Sequence, residues 1–146
     1  MGRCMVGARA AGAGSNTLPI GSIYSSASVN PRLREVGIFN TTSTALTVAL
    51  CRLSTTGTQG AGLTEQAADA TGNAPSVSGF NTHTVAPTLV DLGYRASIGA
   101  AIGAGVIWTF GGDIGITCAV GTTNGLGIYI PNGTGQVVDF YFLWDE

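Results

Sequence analysis

The sequence predicts an all-β protein, an antiparallel β-sandwich or a jelly-roll-like barrel with an extended N-terminal arm. Three observations predict it. Short apolar runs recur about every ten residues in the C-terminal third, separated by glycine-rich turns that include Asn124-Gly125, a dipeptide that strongly marks hairpins. Residues 44–53 alternate, with Leu46, Val48 and Leu50 on one face and Ala45, Thr47 and Ala49 on the other, the period of a strand with one face on a core. The segment 136–144 is the most aromatic of the chain, so the core is expected to be complete only once this last strand has been made.

Residues 1–30 hold much Gly, Ala, Ser and Asn with little periodicity and read as an arm that orders on binding. Pro31 marks the boundary, and residues 31–146 form the single β-sandwich domain. Residues 34–40 are the first strand, and 44–53 its hairpin partner across the polar turn 40–43. Residues 54–74, rich in Gly and Thr, read as a long surface loop despite the short acidic piece 63–69. A strand within 82–92 is interrupted at Pro87 and belongs at a sheet edge. Strands then follow at 106–110, 114–120, 126–130 and 136–144, with turns at 111–113, 121–125 and 131–135. In the last strand Val138, Phe140, Phe142 and Trp144 share one face, and Val137, Asp139, Tyr141 and Leu143 the other. Both faces are largely apolar, so this strand is expected to be covered on both sides, by the core and by a second layer or a neighbouring subunit.

Composition narrows the function. The chain has 146 residues, enough for one domain that buries about two-thirds of its unfolded surface. Only 10% of the residues are charged, 23 are glycine, and all six basic residues are arginine. A surface so poor in charge is weakly protected against association. Two readings stand: a small neutral protein with long loops, or a protein whose surface is largely buried against other subunits, and the second is favoured. The net charge of −2, without a basic cluster, argues against nucleic-acid binding. Cys4, Cys51 and Cys118 are odd in number and lack CxxC spacing, which argues against a disulfide framework or a zinc site; buried thiols in a reducing cytoplasm fit better. Arg9 and the N-terminal glycines break any signal-peptide core. Residues 96–112 are uncharged but short for a span and diluted by Ser97, Thr109 and glycines, so no membrane segment is expected.

No catalytic constellation emerges. His83 stands alone and reads as a surface or capping residue, not a base. No motif offers a metal or cofactor site, and residues 99–105 do not complete GxGxxG because Trp108 occupies the third glycine position, so they read as a close-packed loop. The carboxylates are scattered, and Asp113 reads as a turn residue. The sequons at Asn40 and Asn132 are read as turn chemistry. Arg34, Glu35 and Arg52 are charges among apolar strand residues, either an intersubunit ion pair or a solvated face. The aromatics Trp108, Phe110, Tyr129, Phe140, Tyr141, Phe142 and Trp144 are candidates for the core or a subunit interface. If exposed, Trp108, Tyr129, Tyr141 and Trp144 would instead make a sugar-binding platform.

Five segments together resemble a known group: 34–45 (REVGIFNTTSTA), 51–65 (CRLSTTGTQGAGLTE), 107–112 (IWTFGG), 124–128 (NGLGI) and 133–146 (GTGQVVDFYFLWDE). In order and spacing they are similar to small Gly/Thr-rich structural proteins of tailed bacteriophages, over roughly residues 18–146. The resemblance implies a virion component, foremost a capsid decoration (cement) protein that binds the major capsid protein on the capsid exterior after assembly in the host cytoplasm. It implies a homo-oligomer, a trimer in many such proteins, and no enzyme, cofactor or catalytic residue. The alternatives are a tail or fibre-associated module and a carbohydrate-binding β-sandwich.

Overall fold

The computed structural model describes residues 2–133 and 135–146, and contains strands and no helix among them. The strands are β1 (Arg3–Arg9), β2 (Gly21–Tyr24), β3 (Arg32–Asn40), β4 (Leu46–Leu53), β5 (Gln66–Ala67), β6 (Ser78–Phe80), β7 (Leu89–Ile98), β8 (Gly105–Thr109), β9 (Ile116–Thr117), β10 (Gly125–Tyr129) and β11 (Val138–Asp145). They form two antiparallel sheets packed face to face. The first runs β5-β1-β11-β3-β8, with β9 added to β3, and the second runs β6-β2-β10-β4-β7. Without the three short strands, the orders are β1-β11-β3-β8 and β2-β10-β4-β7. The pairs β1–β11, β2–β10, β3–β8 and β4–β7 are those of one long antiparallel ribbon rolled into two layers. That is the jelly roll, so the all-β sandwich expected from the sequence is the fold observed.

The core lies between the layers. Phe142 and Trp144 are fully buried, with Val138 and Phe140 beside them on the same face of β11. They meet Val36 and Ile38 of β3, Val48 and Leu50 of β4, and Leu126 and Ile128 of β10. An aromatic side chain buries about 150–250 Å², which at roughly 25 cal/mol per Å² stabilises by about 4–6 kcal/mol each.

The arm assigned to residues 1–30 is corrected: β1 and β2 are integral strands, and Pro31 divides nothing. Along β1, Cys4 and Val6 point into the core while Arg3, Met5, Gly7 and Arg9 point out. The alternation was present, but small side chains made it faint. Seven register pairs zip β1 to β11, from Arg3↔Asp145 to Arg9↔Asp139. The main chains of Gly2 and Glu146 close the ladder with bonds of 2.7 and 2.9 Å.

The expected hairpin of 34–40 with 44–53 is also corrected, because β3 and β4 lie in opposite sheets. The connection is an arch held by Asn40, whose buried amide donates to Thr44 O (2.7 Å) and Gly99 O (3.1 Å) while its Oδ1 accepts from Thr42 N (3.0 Å). The turn at Asn124-Gly125 likewise leads from one sheet to the other, since β9 pairs with β3 and β10 with β2 and β4. Of 114–120 only Ile116–Thr117 is strand. The expected strand in 82–92 begins after Pro87, as β7, and does lie at a sheet edge. Thr134, in the turn 131–135 and the second sequon, lies outside the described residues, as does Met1.

Candidate interaction surface

The first sheet turns one face outward, and the register builds it row by row. Met5, Leu143, Glu35 and Thr109 face each other across β1, β11, β3 and β8; the next row is Gly7, Tyr141, Gly37 and Ile107; the third is Arg9, Asp139, Phe39 and Gly105. Two aromatic rings of this face lie across glycines on the neighbouring strand. A Cβ on Gly37 would stand 2.1 Å from the Tyr141 ring, and one on Gly105 2.3 Å from the Phe39 ring. The absence of side chains there lets both rings recline on the sheet instead of standing off it.

The charges around this face are satisfied within the chain. Arg9 donates to Asp139 at 2.8 and 3.1 Å. Arg3 and Arg34 both donate to Asp145, at 2.8 and 2.6 Å through their Nε atoms. Arg3, assisted by Arg34, holds the Asp145 carboxyl below the usual carboxylate range against the opposing effect of burial. The Tyr141 hydroxyl donates to Glu35, and burial, with that bond, pushes its pKa up to about 12. Arg34 and Glu35 thus have intrachain partners, while Arg52 donates to Thr117 O at 3.0 Å. The outward row of β11, Asp139, Tyr141 and Leu143, is only half-buried, so among the described residues no second layer covers it; Val137, just before the strand, packs against the core instead.

The outer face of the second sheet is roofed. Tyr24, Ala49, Cys51, Leu53 and Tyr129 form a buried cluster there, with Phe80 and Leu89 packed on it. Residues 55–58 and 83–88 close over it: Tyr24 donates to Thr55 O (2.9 Å), Thr84 N to Thr58 O (2.9 Å), and Thr88 N to Thr55 Oγ1 (2.7 Å). His83, the first residue of the second roof segment, turns inward at 2% exposure, which corrects the expected surface role. Its Nε2 shares a 2.8 Å hydrogen bond with Ser22 Oγ, and its Nδ1 has no protein partner. Burial pushes its pKa down to about 4. Serine and histidine in contact resemble a nucleophile and base, but Ser22 is fully buried and no carboxylate bonds to the imidazole, so a substrate has no approach while the roof is closed.

The seven aromatic candidates separate into four places. Phe140, Phe142 and Trp144 are core, as is Phe110 at its margin (7% exposed), Tyr141 is on the open face, and Tyr129 is under the roof, where it donates to Asp91. Trp108 and Phe110 sit between the β7 and β8 edges, each edge-to-face with Tyr94 (6.3 and 5.1 Å between ring centroids). Trp108, Tyr129, Tyr141 and Trp144 therefore do not converge on one platform. The open face adds Met5, Phe39 and Ile107, which sequence reading missed; their signal was the period-2 phase of three separate strands. The residues 99–105 read as close-packed are largely open, since a Cβ at Gly99 or Gly103 meets nothing and only Gly105 is packed.

A cavity of about 520 Å³ beside β1 and β5 is lined in part by Arg3, Asp69, Ser76 and Glu146. Its charged groups are already engaged: Arg3 with Asp145, Asp69 with Thr71, and Glu146 with Val77 N and the Trp144 indole N–H. Among the described residues no cluster of His, Cys, Asp and Glu is arranged to hold a metal ion. The three cysteines are buried and unpaired with one another.

None of the protein-family models, curated proteins or solved structures compared with this chain matches it.

Proposed function

We propose that this protein is a virion structural subunit, a capsid decoration (cement) protein that docks on the major capsid protein of a tailed bacteriophage as a homo-oligomer, a trimer in the form the sequence resemblance implies. The observation that carries the binding role is the outer face of the first sheet: uncovered, apolar through Met5, Phe39, Ile107, Tyr141 and Leu143, and with its carboxylates already bonded. Such a face can be desolvated against a partner with few unpaired charges. The capsid as partner is supported by the resemblance of the five sequence segments. Many copies of a modest contact strengthen a lattice collectively, so the protein works by binding and not by chemistry.

The test is co-sedimentation of the purified protein with undecorated capsids of a tailed phage. Wild type is expected to saturate a fixed number of sites and to raise the temperature at which the heads rupture. Met5→Lys and Leu143→Lys should abolish both effects while the isolated protein stays folded. Binding confined to tails, or unchanged capsid binding by the two variants, overturns the assignment.

A further inference from the structure

The two margins of the sandwich are treated differently by the chain. On the β5–β6 margin, chain crosses between the layers. Gly62 bridges Phe80, Leu63 N donates to Gly79 O (2.9 Å), and Ala68 N donates to Arg3 O (2.7 Å). Asn81 continues the closure, donating to Arg9 O (3.1 Å) and accepting from Ala11 N (2.8 Å).

At the β7–β8 margin the main chain crosses only at one end, where residues 99–104 are held by Asn40, and Tyr94 packs on Trp108 and Phe110; no backbone hydrogen bond between the layers follows along the two strands among the described residues. Phe110 N donates to Arg34 O (2.8 Å) and Asn40 N to Ala104 O (2.7 Å), which sets the phase of the β3–β8 ladder. By that phase the N–H and C=O groups of Gly105, Ile107 and Thr109 point away from β3, along the open edge. An unpaired edge is usually blunted by lysine, proline or an inward charge, and β8 has none of these. Val90, Tyr94, Ile102 and Ile114 stand along this margin at 63, 43, 77 and 63% exposure.

We infer that the β7–β8 margin is the surface through which this chain meets a second copy of itself, turned toward the symmetry axis of the oligomer. Two features favour a copy over a different partner. The charged residues of β7, Asp91 and Arg95, are bonded to each other at 3.0 Å, and β8 has no charge, so the margin meets its own kind without repulsion. The size also fits: ten residues of β7 span about 33 Å and five of β8 about 17 Å, and two layers about 10 Å apart with their outer side chains make a strip roughly 25 Å wide. Mean length times width, roughly 600 Å², approaches the ~800 Å² that each partner buries in a stable complex of standard size. The inference rests on the oligomeric part of the proposed function and not on the capsid.

Sedimentation velocity on the full chain tests it. Wild type is expected to be oligomeric at low micromolar concentration, and Val90→Lys and Ile114→Lys to weaken association about 100-fold with unchanged circular dichroism. Should either variant fail to fold, Ile102→Lys, on the exposed β7–β8 connection, gives the same readout. Met5→Lys, on the open face, should leave association unchanged. A wild type that is monomeric at about 100 μM, or lysine variants that associate like wild type, overturns the inference. Association lost in Val90→Lys alongside absent capsid binding by wild type would retain this interface and discard the capsid assignment; the opposite pattern would do the reverse.

Discussion

The two outer faces of the sandwich start from similar strands and end in opposite states. Each carries a central tyrosine among small residues. On the second sheet Tyr24 is 2% exposed under residues 55–58 and 83–88, with its hydroxyl on Thr55 O. On the first sheet Tyr141 is half-buried, covered by no loop, and bonded to Glu35. The roofed face gains an extra small core at the cost of ordering two loops. The open face reaches a low profile by laying rings over Gly37 and Gly105, and it keeps apolar surface available. An exposed apolar face that the chain could have roofed, as it did on the other side, marks where function is to be sought.

Four experiments break or sharpen this contrast. The largest effect is expected from Tyr24→Ala, which opens a cavity under the roof and removes the bond to Thr55; it should destabilise by about 3–5 kcal/mol in urea unfolding, against about 1–2 kcal/mol for Tyr141→Ala. Equal losses would mean that the open face is part of the core after all.

Acid should act through the roofed face next. His83 is depressed to about 4 from an ordinary 6.5, so the neutral form is favoured by folding. Its contribution is fully present above pH 6.5 and is lost as the pH falls toward 4, where the folded protein also takes up the proton. The loss is up to about 3 kcal/mol by linkage. Unfolding measured at pH 7 and at pH 4.5 should show much of this difference in wild type and a flatter profile in His83→Gln. An identical profile in the variant would assign the acid sensitivity elsewhere.

Gly37→Ala comes third. Its methyl group would stand in the Tyr141 ring, forcing the ring up at about 1–3 kcal/mol and roughening the open face. Thermal unfolding and the capsid-binding assay should both register it. The smallest effect on stability is expected from Met5→Lys, within about 0.5 kcal/mol, because that side chain points outward from β1. A large destabilisation there would show that the row through Met5 is packed more tightly than its 38% exposure indicates.

Much of the fold was legible in the sequence where side chains are large. The alternation in 44–53 and 136–144 located β4 and β11, with the core face of β4; in β11 it sorted the side chains onto two faces without choosing the one that meets the core. Two things were hidden. In β1 the apolar phase is carried by Cys4 and Val6 between arginines and glycines, a weak signal that reads as an arm. Strand pairing was hidden more deeply, because in a jelly roll the chain passes from layer to layer and neighbours in sequence are mostly not neighbours in a sheet. A polar turn such as 40–43 looks the same whether it closes a hairpin or spans an arch, and the burial of Asn40 that decides between them is a property of the folded state. The open face was half visible, since Tyr141 and Leu143 fall on one side of an alternating strand. Phe39, Met5 and Ile107 join them only through register across three other strands.

The place of β11 between β1 and β3 has a consequence in time. Arg3 meets Asp145, 142 positions along the chain, and no other strand can bridge β1 to β3 in its stead. At about 5–20 residues per second of synthesis, β1 waits roughly 7–28 s on the ribosome for its partner. Throughout that interval the first sheet is split and one wall of the core is open to solvent. Nascent chains are then expected to lean on chaperones until β11 emerges, and the final closure to be a late, cooperative event in the life of each molecule.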